Sequence, residues 1–87
     1  MDNKGDKMPY IKQEDKEIFK DSINNLVPHI ENAGELNYII TSICKNYLNM
    51  IGQKYQNYNE IIGVLECAKQ EFYRRAVVPY ENKKIEE

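Results

Sequence analysis

Asn32-Ala33-Gly34-Glu35-Leu36-Asn37-Tyr38-Ile39-Ile40-Thr41-Ser42-Ile43-Cys44-Lys45-Asn46-Tyr47-Leu48-Asn49-Met50-Ile51-Gly52 is the stretch that decides the fold class. Leu36, Ile39, Ile40, Ile43, Cys44, Tyr47, Leu48 and Ile51 follow the i, i+3, i+4, i+7 series of an amphipathic helix without a miss. Asn32 and Glu35 have the form of a capping box, with Asn in place of Ser or Thr, and Gly52 supplies the C-terminal stop. The spacing predicts a helix over residues 34–51. Its apolar arc is wider than the roughly 100° a surface helix needs, so it is expected to be the most buried helix of the chain.

The flanking segments repeat the same period. Towards the N-terminus, Ile18, Phe19, Ile23, Leu26, Val27 and Ile30 form one apolar side, and Glu14, Asp15 and Glu17 favour a helix start near Gln13. A helix over about 13–30 is predicted, ended or kinked near Val27 by Pro28. Towards the C-terminus, Tyr58, Ile61, Ile62, Leu65, Ala68, Phe72 and Ala76 form a stripe, and Asn57 with Glu60 has the form of a second capping box. The third helix is placed at about 58–78, stopping before Pro79. Residues 1–12 read as an extended or disordered arm and 80–87 as a charged tail that frays. The sum is an all-α, three-helix bundle-like single domain over residues 13–79.

Composition bounds the rest. At 87 residues the chain has room for one modest core, and self-association is a common way for so short a chain to bury more surface. Charged residues make up 30% and apolar ones 41%, a globular mix, and the net charge of −2 favours neither nucleic acid nor an acidic membrane. No apolar run approaches the roughly 20 residues of a membrane span, and the polar start lacks the apolar run of a signal peptide. Cys44 and Cys67 match no disulfide framework or zinc spacing. The predicted compartment is the cytoplasm, with Met8 a second candidate start.

Met8-Pro9-Tyr10-Ile11, Gly34-Glu35-Leu36-Asn37-Tyr38-Ile39-Ile40-Thr41 and Gly63-Val64-Leu65-Glu66-Cys67 stand together with Glu71-Phe72-Tyr73-Arg74-Arg75 and Pro79-Tyr80-Glu81. In these segments, from Met8 to about Ile85, the chain resembles a family of small uncharacterised proteins from bacteria, archaea and phages that begin with Met-Pro-Tyr-Ile. The resemblance implies a bacterial or phage setting. That family has no assigned activity, so no catalytic residue is carried over.

Catalytic patterns are absent: there is no phosphate loop, nucleophile elbow or histidine pair, and His29 is the single histidine. Glu60, Glu66 and Glu71 lack the i, i+3 or i, i+4 spacing of helical metal sites, so neither metal nor cofactor is implied. Nucleic-acid binding is not favoured either, because acids outnumber bases six to five from Glu60 onward. Lys69, inside the third helix's stripe, is flanked by Glu66 and Tyr73. With Arg74, these are the candidate ligand-binding residues, able to hold a small anion if the edge is enclosed. The plainer reading is a lysine whose stem covers apolar surface while its head reaches water or Glu66. Gly63 and Cys67, one turn apart on the opposite face, are candidate interface residues, as are Tyr55 and Tyr58 among the seven tyrosines. The favoured function is a non-enzymatic helical interaction module that forms a homodimer or higher homo-oligomer. The alternative is a small-ligand or nucleotide-handling protein that uses the Glu66, Lys69 and Tyr73 edge.

Overall fold

A computed structural model of the chain describes residues 11–86. Helix α1 spans Gln13–Leu26, α2 Ala33–Ile51, α3 Tyr55–Phe72 and α4 Val78–Glu86. A 3₁₀ turn, Val27–His29, follows α1, and a π-helical turn, Tyr73–Val77, joins α3 to α4. The protein is all-α, and no strand occurs among the described residues. Backbone contacts group the chain into two compact units, Met1–Ile39 and Ile40–Glu87. The arm expected over residues 1–12 lies outside the described residues, apart from Ile11 and Lys12.

In the first unit, Glu14 and Asp15 occupy the first turn of α1, where carboxylates oppose the positive end of the helix dipole. The regular helix stops at Leu26, at the ending or kink expected near Val27, and the 3₁₀ turn carries the segment on to His29. Pro28 has no N–H to continue the ladder, and its ring crowds the preceding turn, so the chain tightens into the 3₁₀ turn. Ile30 N–H then donates to Val27 O at 3.0 Å and leaves the turn in an extended conformation. Asn32 caps α2 as expected, but the return bond from Glu35 goes to the N–H of Glu31, one residue before the cap. Glu35 N–H donates to Asn32 Oδ1 at 2.9 Å, while Glu35 Oε1 accepts from Glu31 N–H at 2.8 Å.

In the second unit, α2 ends where Gly52 takes a φ of 113°, a left-handed conformation that costs glycine little. Gly52 N–H closes the last turn on Leu48 O at 2.8 Å. Asn57 does not cap α3. Its side-chain amide reaches back and donates to Gly52 O at 2.9 Å and Ile51 O at 3.4 Å, satisfying carbonyls that the end of α2 leaves open. Helix α3 therefore starts at Tyr55 rather than Tyr58, with Lys54 as its N-cap residue.

The C-terminal tail is helical. Val78 N–H bonds to Tyr73 O, the i to i−5 step of a π turn. Widening the turn just before Pro79 makes room for the ring and absorbs the missing donor, so the chain continues as α4 instead of stopping. Arg74 and Arg75 both bond to Glu71 across the start of this turn, Arg75 Nε at 3.1 Å from Oε1.

No side chain among the described residues is buried. Half-buried positions are most frequent in α2, where Ile39, Cys44, Leu48 and Ile51 lie on the predicted stripe. The stripe also keeps large open members, with Ile43 58% exposed. Cys44 is half-buried and Cys67 is exposed; both are free thiols.

Candidate functional site

The candidate residues sit on α3 and the turn that follows it. Because α3 runs unbroken from Tyr55, Glu66 and Lys69 are one turn apart, and Lys69 Nζ lies 3.5 Å from Glu66 Oε2. Gln70 Nε2 donates to the same carboxylate oxygen at 3.0 Å. The Gln70 amide first, and the Lys69 charge second, hold the Glu66 carboxyl below its ordinary range. The Lys69 side chain is 73% exposed. This edge of α3 is open to water.

Tyr73 and Arg74 are drawn elsewhere. The Tyr73 hydroxyl donates to Glu81 Oε1 at 3.5 Å, across the π turn, and Arg74 is paired with Glu71. Of the four ligand candidates, only Glu66 and Lys69 are in polar contact with each other. Glu71 gathers both arginines on one carboxylate and is only 29% exposed, the least open acid of the group. The i, i+4 spacing of Glu71 and Arg75 announces one of these bonds. The Tyr73–Glu81 contact was not legible, because it depends on the helix continuing past Pro79.

Among the interface candidates, Tyr55 and Tyr58 open α3 and are exposed, as is Cys67. A Cβ built at Gly63 would meet open space, so nothing in the chain's own packing demands glycine there. The stripe itself is equally open, with Ile62 65% and Phe72 67% exposed. Among the described residues, no group of three His, Cys, Asp or Glu side chains is placed to hold a metal ion, and no helix is long and apolar enough to cross a membrane.

Residues 8–87 match a family described as a domain of unknown function, DUF6899. The chain belongs to that family. The DUF6899 match begins at Met8 and takes in every helix described above, so the family unit is the whole helical array. Among curated proteins and among solved structures, none matched. The DUF6899 description assigns no activity, and the function of the chain is unknown at the level of its family.

Proposed function

We propose that this DUF6899 protein is a non-enzymatic helical interaction module that self-associates, covering the apolar stripes of α2 and α3 with a second copy. The observation that carries the reading is the openness of those stripes. Ile43, Tyr47, Ile62 and Phe72 all sit on apolar helical faces and all remain exposed. Burying a large apolar side chain is worth about 1.5–3 kcal/mol, so several open at once favour association with something that covers them. Tyrosines at the same surface suit an interface, since each adds apolar area and a polar tip.

The ligand-handling alternative has less support. Glu66 and Lys69 form an ordinary i, i+3 surface pair that needs no third party, and Tyr73 and Arg74 have other partners. Two free thiols suit a reducing compartment, which supports a cytoplasmic setting. The Met8-Pro9-Tyr10-Ile11 start and the resemblance it carries support a bacterial or phage origin. Light scattering over a range of micromolar concentrations tests the central claim. The expected mass is that of two or more chains; a one-chain mass that persists as concentration rises refutes self-association.

A further inference from the structure

The positions of the apolar stripe of α3 are spaced symmetrically about its middle, although the residues that fill them differ. Tyr58, Ile61, Ile62, Leu65, Ala68, Lys69 and Phe72 are placed symmetrically about Leu65: Tyr58 and Phe72 are equally distant from it, and the pair Ile61-Ile62 mirrors the pair Ala68-Lys69. Such spacing lets the stripe lie in register along its own reversed copy, the arrangement of an isologous two-fold contact. We infer that α3 pairs antiparallel with α3 of a second copy, about a two-fold axis at Leu65. The inference rests on the self-association reading and specifies the surface and register by which it occurs.

Shape and area support this arrangement. Across the axis, Leu65 meets Leu65, Tyr58 meets Phe72, and bulky Ile61 faces small Ala68, an alternation of large and small that packs without voids. Ile62 faces the stem of Lys69, whose head stays at the wet edge beside its own Glu66. That accounts for a lysine inside an apolar stripe. Beyond the core, Tyr55 approaches Tyr73.

With aromatic side chains of about 200 Å² and aliphatic ones of about 100 Å², the open fractions of Tyr55, Tyr58, Ile62, Leu65, Phe72 and Tyr73 come to about 600 Å² per copy. With all of it covered, a pair buries up to about 1,200 Å², against the roughly 1,000 Å² that a specific interface needs.

Cysteine cross-linking of the full chain in a Cys44→Ser, Cys67→Ser background tests the register, since a disulfide forms only between closely placed Cβ atoms. Leu65→Cys is expected to cross-link to itself and run at the two-chain mass on a non-reducing gel. Phe72→Cys alone is expected to stay at one chain, because the two sites lie about 20 Å apart. A mixture of Ile62→Cys and Lys69→Cys chains is expected to give the mixed two-chain product; Lys69 is exposed enough to be replaced without harming the fold. Self-linking of Phe72→Cys as readily as Leu65→Cys overturns the antiparallel register. Absence of every cross-link in samples with helical circular dichroism and a two-chain mass places the interface elsewhere and leaves self-association standing. A one-chain mass overturns both.

Discussion

Lys69 lies within the apolar stripe of α3, yet its ammonium is in water and 3.5 Å from Glu66. Replacing it by Met keeps the stem's packing and removes only a solvated charge. Lys69→Met is therefore expected to change stability in urea by less than about 0.5 kcal/mol, the range of ordinary surface substitutions. A loss of several kcal/mol, relieved by adding Glu66→Gln, would instead reveal an enclosed ion pair. Glu66 itself titrates below its ordinary range because it accepts from Gln70 and sits beside Lys69. Its value is depressed in the folded chain, so these contacts support the helix at pH above the ordinary glutamate value. They are lost as pH falls through the lowered one. A carboxyl NMR titration should show Glu66 below glutamate in an unstructured peptide, with Gln70→Ala raising it and Lys69→Met raising it less. An unchanged midpoint in Gln70→Ala would show that the amide bond does not form in solution.

Helix ends, rather than helix centres, separate what periodicity predicts from what the chain does. Asn57 was legible as half of a capping box for α3, a local pattern, but its amide serves the carbonyls of the preceding helix. Asn57→Ala is expected to cost about 1 kcal/mol, the worth of a partly buried hydrogen bond, read in thermal unfolding. No measurable change would mean that water replaces the amide at no cost. On α3, Gly63 has open space where a Cβ would stand. Alanine there removes the entropic penalty of a mid-helix glycine, and Gly63→Ala is expected to stabilise the protein by about 0.5–1 kcal/mol without changing its mass in solution. A change of mass in that variant would place an interface on the face carrying Gly63 and Cys67. The stop expected at Pro79 is absent because proline forbids a regular ladder but tolerates a widened turn, and a pattern of residue types does not distinguish the two outcomes.

For the whole molecule, stability gained from a second copy carries a signature that intramolecular packing lacks. If the stripes of α2 and α3 are covered by association, folding is linked to assembly, and the melting temperature must rise with protein concentration. A tenfold increase is expected to shift it upward by a measurable few degrees; a melting temperature independent of concentration would count against the linkage. The all-α class, the three principal helices and the cap at Asn32 were all determined by the sequence alone, because they depend on contacts within about four residues, and a period of 3.6 is written into residue order. The same holds for the stop at Gly52, whose left-handed backbone suits only glycine well. Only the tertiary structure decided that Asn57 turns back to α2, that the chain passes Pro79 through a π turn, and that Tyr73 reaches Glu81. It also decided that the predicted apolar faces stay partly open, with Ile43, Ile62 and Phe72 exposed. Periodicity says which face of a helix is apolar; what covers that face depends on where other chain segments or other molecules lie, and no local pattern of residues encodes it.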